Sequence, residues 1–162
     1  VLVPKFGEWD YLAGDDPQGL AWTRKDFDTS GWKRGSAGFG FGDGRFRTEI
    51  PRERLKPSSV YMRHEFNIEQ TDRITELGLI VDYRDGFIAY INGREVARVN
   101  IGRSAGRNVQ KLKNREGTGP TYVCLKDAYK HLKEGVNILA IEAHSPAEAL
   151  DMFIDPYLIL ED

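Results

Sequence analysis

The dipeptide Asn92-Gly93 is the feature that most restricts how this chain folds. It separates two short runs of strand-forming residues, FIAYI at 87–91 and REVARV at 94–99. Asn and Gly readily accept the positive φ angles of a type I′ turn, so the pattern predicts a two-residue β-hairpin. The hairpin also predicts that residues 82–85 and the segment after Asn100 lie at the same end of a sheet, opposite the turn.

Four further segments have the composition of strands: VYMRHEFNI at 60–68, ELGLIVD at 76–82, VNILAIEAH at 136–144 and MFIDPYLIL at 152–160. One short helix is expected within 125–135. The chain has 162 residues, of which 40 % are apolar, and a net charge of −2. These values exclude a disordered chain, and together with the strand-like segments they predict one all-β sandwich domain over residues 1–162.

The irregular first part of the chain carries the three tryptophans, and the single cysteine lies in the apolar run TYVCL at 121–125. Trp9, Trp22 and Trp32 are expected to anchor the irregular first part of the chain onto the core. Cys124 cannot form an internal disulfide and is predicted to be a small core residue. No apolar run approaches the roughly 20 residues that span a bilayer, so membrane insertion is not expected. Because the chain starts without Met, we expect it to be part of a longer protein.

Several segments, taken in order, resemble the galactose-binding-domain-like jelly-roll modules. They are W…FDTSGW (Trp22, Phe27, Asp28, Ser30, Trp32), GFGFGD, YMRHEF (Tyr61, Arg63, Phe66), DYRDGFIAYINGREV and GVNILAIEAH (Gly135, Asn137, His144). Such modules accompany glycoside hydrolases and occur in many large secreted bacterial proteins. The resemblance therefore implies a jelly-roll fold with at most one short helix, a partner domain, and a place outside the cytoplasm, extracellular, on the cell surface or periplasmic.

The loop Asp82-Tyr83-Arg84-Asp85 combines an aromatic side chain with planar polar groups, the combination that commonly recognises sugar hydroxyls. With Asn100, Arg103 and Arg107 it forms the predicted ligand-binding site. Residues 101–120 are rich in Lys and Arg, which favours a polysaccharide or glycan that is anionic. Nucleic acid is not expected, since the domain as a whole is not basic.

No cofactor is expected, and a structural calcium ion is the one metal considered. Its carboxylates would come from Asp15, Asp16, Asp43, Asp82 and Asp85. Relatives of the jelly-roll type often carry two acidic residues before the GF pair, and Arg84 replaces one of them here. This departure argues against a calcium site carried over from the family.

The sequence offers no catalytic residue, because neither a nucleophile elbow nor a paired histidine spacing is present. Glu142 is the best single carboxylate, and we expect it to pair with an arginine such as Arg63. Three interpretations stay open, in this order: a non-catalytic carbohydrate-binding module, a structural module that packs on neighbouring domains, and part of a glycoside hydrolase. The last requires two carboxylates in one cleft, one with a raised pKa.

Overall fold

The described part of the chain contains eleven strands, arranged in two sheets. The structure is a computed structural model that describes residues 1–42, 46–52, 58–101, 119–125 and 127–161. The strands are β1 Glu8–Ala13, β2 Lys33–Ser36, β3 Phe39–Phe41, β4 Thr48–Glu49, β5 Ser58–Ile68, β6 Glu76–Tyr83, β7 Gly86–Ile91, β8 Arg94–Val99, β9 Thr121–Cys124, β10 Gly135–Ser145 and β11 Met152–Glu161. The predicted all-β sandwich is confirmed.

Helical structure in the described residues is limited to short 3-10 turns, at Ala21–Thr23 and Ala128–His131. The second turn lies inside the segment where the sequence predicts one short helix. Across the described ranges, no helix has the length and apolar composition that crossing a membrane requires.

Each sheet has its own strand order, and nearly all pairings are antiparallel. The six-stranded sheet has the order β2-β1-β5-β10-β7-β8, and the five-stranded sheet has the order β4-β3-β11-β6-β9. Only the short pair β3–β4 is parallel among the pairings of the described residues. Long strands lie at the centre, where β10 pairs with β5 on one side and β7 on the other.

The main core fills the space between the sheets. Met62, Ile141 and Ala89 lie in one row across β5, β10 and β7 and face inward. Leu79 and Leu158 face them from the five-stranded sheet. Successive side chains of a strand point to opposite faces, so the apolar residues at every second position build this layer.

A smaller core covers the outer face of the six-stranded sheet. Trp22, in the first 3-10 turn, is fully buried and meets the rings of Tyr61 and Tyr90 edge-on, at centroid distances of 5.3 and 5.7 Å. Trp9 is buried in the main core, and Trp32 is half-buried against Trp22. The expectation is confirmed for Trp22 and Trp32, whereas Trp9 lies on the regular strand β1.

The β7–β8 hairpin has the turn that the sequence predicts, with φ of 49° at Asn92 and 86° at Gly93. The Asn92 side chain also crosslinks the end of the sandwich. Its amide donates to the carbonyl of His131 and to Oδ1 of Asn137, each at 2.8 Å, and its Oδ1 accepts from the backbone N–H of Ile138. At the opposite end, the Asn100 amide donates to the Asp85 carbonyl at 2.7 Å, so these two residues share an end as predicted; residues 102–118 lie outside the described ranges.

The prediction that Cys124 is a core residue is wrong. Cys124 is exposed, and its thiol donates to Glu76 Oε1. The apolar run around it looks continuous in sequence, but β9 alternates, so that Tyr122 and Cys124 face outward while Val123 packs against the core. β9 is the edge strand of its sheet, which leaves that outer side exposed.

Two substitutions of Asn92 separate its two roles. Asn92→Gly keeps the positive φ and removes the three side-chain hydrogen bonds, so we expect a loss of about 2–4 kcal/mol in the free energy of unfolding. Asn92→Ala should lose about 1 kcal/mol more, because alanine disfavours positive φ. Urea denaturation of both variants measures the difference.

Gln18→Gly is the control, since Gln18 is exposed, has a φ of 60° and should be near neutral when replaced by glycine. If the Asn92→Gly variant were as stable as the unmutated chain, the side-chain hydrogen bonds of Asn92 would contribute nothing to the free energy of unfolding.

Candidate functional site

A cleft forms where two connections meet at one end of the sandwich. β10 pairs with β7 so that His144 lies opposite Gly86. The chain that leaves β10 at Ser145 therefore runs beside the residues that precede β7. The resulting cavity has a volume of about 460 Å³ and is lined by Arg84, Asp85, Pro146, Glu148, Ala149, Leu150 and Asp151. We call it the end cleft.

Arg84 is fixed at the rim of the end cleft by an ion pair. Its Nε donates to Asp151 Oδ1 at 2.9 Å, and its backbone N–H donates to the Phe153 carbonyl at 2.9 Å. The side chains of both partners remain partly exposed. The planar guanidinium thus uses one edge to hold Asp151, and its amino groups have no hydrogen-bond partner among the described residues.

Asp85 contributes a buried acceptor with no partner. The residue is 3 % exposed, and its Oδ2 receives no hydrogen bond within the described part of the chain. Burial raises the pKa of Asp85 to about 6; the Arg84 charge opposes this shift and the Asp151 charge adds to it. A buried, unsatisfied carboxylate oxygen is unfavourable, so a ligand that donates a hydrogen bond there gains more than it would from a solvated acceptor.

The structure separates the residues of the predicted site. It brings Arg84, Asp85 and Asn100 together. The ring of Tyr83 instead packs edge-on against Phe87 at 5.1 Å, in contact with the main core. Asp82 lies on the outer face of the five-stranded sheet, directly opposite Asp155 on β11. The predicted Arg103 and Arg107 lie outside the described residues.

Asp155 is the second buried carboxylate with an unpartnered oxygen in the described ranges. Burial raises its pKa, and the neighbouring Asp82 charge raises it further. The pair does not line the end cleft. Tyr83 and Asp82 therefore belong to the surroundings of the cleft rather than to its surface.

Sequence reasoning missed Glu148, Leu150 and Asp151. They lie in a short polar connection, SPAEALD at 145–151, with no motif of its own. The missing information is strand register: the pairing of β10 with β7 brings the start of the connection to Asp85, and the pairing of β11 with β6 brings its end to Arg84. Knowledge of which strand ends pair would have placed the connection beside Asp85, but a single sequence does not reveal which strands pair.

The expected ion pair between Glu142 and Arg63 is wrong. Glu142 is fully buried on the outer face of the six-stranded sheet, where it accepts from the Tyr90 hydroxyl at 3.2 Å and meets His144 Nε2 at 3.1 Å. Arg63 donates instead to the carbonyl of Arg24. Arg63 lies opposite Ala140 on β10, so its side chain leaves the sheet one row away from Glu142.

Two other cavities have fully solvated charged linings. One, of about 510 Å³, includes Asp15, Lys33, Glu49 and Arg52. The other, of about 420 Å³, includes Arg24, Lys25, Asp26, Arg94 and Lys133. These side chains are exposed, so water already satisfies them. The end cleft differs because its acceptor at Asp85 is buried.

The end cleft combines hydrogen-bond donors and acceptors. Arg84 supplies donors, while Asp85, Glu148 and Asp151 supply acceptors. Within the described ranges, no group of three or more His, Cys, Asp or Glu side chains is arranged to hold a metal ion. Asp85 and Asp151 meet part of the requirement for a hydrolase, namely two carboxylates and one raised pKa. Asp151, however, is held by Arg84, and Asp85 is almost wholly buried.

Comparison with known proteins gives a likeness of fold. No protein-family model matches the chain. No curated protein matches it either. Among solved structures, a β-glycosidase from Bacteroides vulgatus superposes with a TM-score of 0.56 at 13 % identity, over 96 % of this chain and 19 % of the other.

Two further solved structures are similar. A glycosyl hydrolase family 2 member from Bacteroides cellulosilyticus has a TM-score of 0.54 at 16 % identity, over 96 % of this chain and 21 % of that one. A β-glucuronidase from an uncultured Clostridium has a TM-score of 0.51 at 16 % identity, over 87 % and 22 %. The chain thus spans about a fifth of the length of these glycosidases. It shares the fold of one sandwich-sized part of them.

The buried carboxyl of Asp85 predicts a pH-dependent stability. Because folding raises its pKa from 3.8 to about 6, the folded state is destabilised above pH 6, and this destabilisation disappears as the pH falls toward 4. Asp85→Asn should therefore be more stable than the unmutated protein by ~1–2 kcal/mol at pH 8, after allowance for solvent in the open cleft. The difference should decrease as the pH falls below 6 and vanish only below about pH 3.8.

Urea denaturation at pH 8 and pH 4.5 measures this difference. Glu148→Gln, an exposed carboxyl of the same cleft, is the control and should change stability little at either pH. A stability difference for Asp85→Asn that is the same at both pH values would contradict the assignment.

Proposed function

We propose that this chain is a non-catalytic accessory domain of a glycoside hydrolase, a galactose-binding-like jelly-roll module that binds carbohydrate in the end cleft. The likeness to about a fifth of three glycosidases supports the accessory role. We also propose that the domain belongs to a longer parent chain, that its partner is a neighbouring catalytic domain, and that it is extracellular, on the cell surface or periplasmic.

The observation that carries the proposal is the unpartnered oxygen of buried Asp85, beside a guanidinium fixed by its own ion pair. A sugar hydroxyl donates one hydrogen bond and accepts others, so vicinal hydroxyls suit an acceptor and a planar donor side by side. Leu150, which is 74 % exposed, adds an apolar surface at the rim that suits the C–H face of a sugar ring.

A second candidate function is packing against a neighbouring domain of the parent chain. The outer face of the five-stranded sheet favours it. Tyr122, Ile80 and Tyr157 lie in one row across β9, β6 and β11, and Tyr122 is 46 % exposed. Exposed apolar rows of this kind are typical of surfaces that contact another protein.

Direct binding measurements with Arg84→Ala test the carbohydrate function. A glycan array identifies the sugars that the unmutated domain binds, and isothermal calorimetry then gives their dissociation constants. Arg84→Ala removes the charged donor and releases Asp151, so affinity should fall at least tenfold while the free energy of unfolding changes by less than about 1 kcal/mol.

Arg34→Ala is the matched control. Arg34, on β2, also forms exposed ion pairs, with Glu8 and Asp10 of β1, but lies away from the cleft. Its removal should leave sugar affinity unchanged. A domain that binds no sugar, or that binds equally well without Arg84, would contradict the proposal and shift support to domain packing.

A further inference from the structure

We propose that the end cleft selects uncharged sugars and discriminates against uronic acids and sulfated sugars. This inference rests on the proposed function, because it specifies the ligand of the same cleft. It concerns the residues that line the cleft, and it differs from the expectation of an anionic glycan drawn from the basic segment 101–120.

The charges of the lining residues oppose an anionic ligand. The described lining has one positive side chain, Arg84, and three carboxyl groups, those of Asp85, Glu148 and Asp151. One positive and three negative charges give a net charge of −2 when all are ionised. The positive charge is also already paired, since Arg84 holds Asp151 at 2.9 Å. A carboxylate or sulfate group entering the cleft would therefore be repelled by two uncompensated negative charges.

The buried oxygen of Asp85 requires a donor that an anionic group lacks. Its Oδ2 has no hydrogen-bond partner in the described chain. A sugar carboxylate or sulfate has only acceptor oxygens, so it would leave Asp85 unsatisfied and add a like charge next to it. A hydroxymethyl group at the same position of the ring would instead donate a hydrogen bond.

A neutral polyol meets no charge repulsion in this lining and can satisfy both Arg84 and Asp85. Its hydroxyls accept from the amino groups of Arg84 and donate to Asp85, so each of the two side chains finds a complementary group in the same ligand.

The basic segment of the sequence does not enter this inference. Arg103, Arg107, Lys111, Lys113 and Arg115 all lie outside the described residues. The sequence expectation of an anionic partner depends on them, whereas this inference depends on the charged lining residues that the structure describes, Arg84, Asp85, Glu148 and Asp151. The basic segment predicts an anionic ligand and the lining of the end cleft predicts a neutral one, and one experiment distinguishes the two predictions.

Matched pairs of sugars test the selectivity. The probes are galactose oligomers beside oligogalacturonate, glucose oligomers beside oligoglucuronate, and an agarose oligosaccharide beside a sulfated galactan oligomer. Calorimetry at 20 mM and 300 mM salt gives the dissociation constants. We expect at least one neutral probe to bind about tenfold or more tightly than its anionic partner at low salt, with a smaller ratio at high salt, because salt screens the repulsion.

A charge reversal in the cleft provides the second arm. Glu148 is exposed at the rim, and Glu148→Lys changes the net charge of the lining from −2 to 0. It should reduce the preference for neutral sugars severalfold. Glu134→Lys makes the same change at an exposed position beside Gly135, where β10 starts at the opposite end of the sandwich, and should leave the preference unaltered.

The outcomes distinguish this inference from the function on which it rests. Anionic probes that bind as tightly as their neutral partners, with affinity still dependent on Arg84, would overturn the selectivity and leave carbohydrate binding intact. A preference that Glu148→Lys and Glu134→Lys alter equally would also overturn it. Failure of every probe to bind would instead overturn the proposed function, and the selectivity with it.

Discussion

The antiparallel pairing of β10 with β5 and β7 is the constraint on which the rest of the structure depends. Its register turns Leu139, Ile141 and Ala143 toward the main core and Glu142 and His144 toward the outer face. The same register places His144 opposite Gly86, so that the connection after Ser145 meets Asp85. A shift of one residue would exchange core and surface along the whole strand and would separate the two halves of the end cleft. The register of β10 therefore sets one layer of the core and one wall of the end cleft, while the pairing of β6 with β11 places Asp151 beside Arg84.

The end cleft combines a rigid support with a local instability. Asp85 precedes a fully buried strand, and Asn100 holds its backbone carbonyl, so the carboxyl group cannot easily turn toward solvent. Its unsatisfied oxygen and raised pKa destabilise the fold at neutral pH. Folded domains carry few such groups, and those they retain are concentrated at functional sites. A buried carboxylate of this kind lowers the stability of the free domain and strengthens the binding of a ligand that donates a hydrogen bond to it. A carboxylate with a purely structural role does not combine these two effects.

The sequence predicted those features that depend on local chemistry. The Asn92-Gly93 turn, the alternation in the long strands and the shared end of residues 82–85 and Asn100 all follow from residues close together in the chain. Features that depend on strand pairing were missed or wrong. Asp151 could not be placed beside Arg84, Glu142 was paired with Arg63, and Cys124 was assigned to the core although β9 is an edge strand. The register between strands brings together residues as far apart in the chain as Arg84 and Asp151, and a single sequence does not reveal that register.

The role proposed for Asp85 is that its carboxylate accepts a hydrogen bond from a sugar hydroxyl. The pKa of this carboxyl group, followed by carbon-13 NMR titration of the domain alone and with a saturating neutral oligosaccharide, tests that role. We expect a pKa of about 6 in the free domain. With sugar bound we expect the pKa to fall by about one unit or more, because a donated hydrogen bond stabilises the charged form. An ordinary pKa near 4 in the free domain, or a pKa that the sugar leaves unchanged, would contradict it.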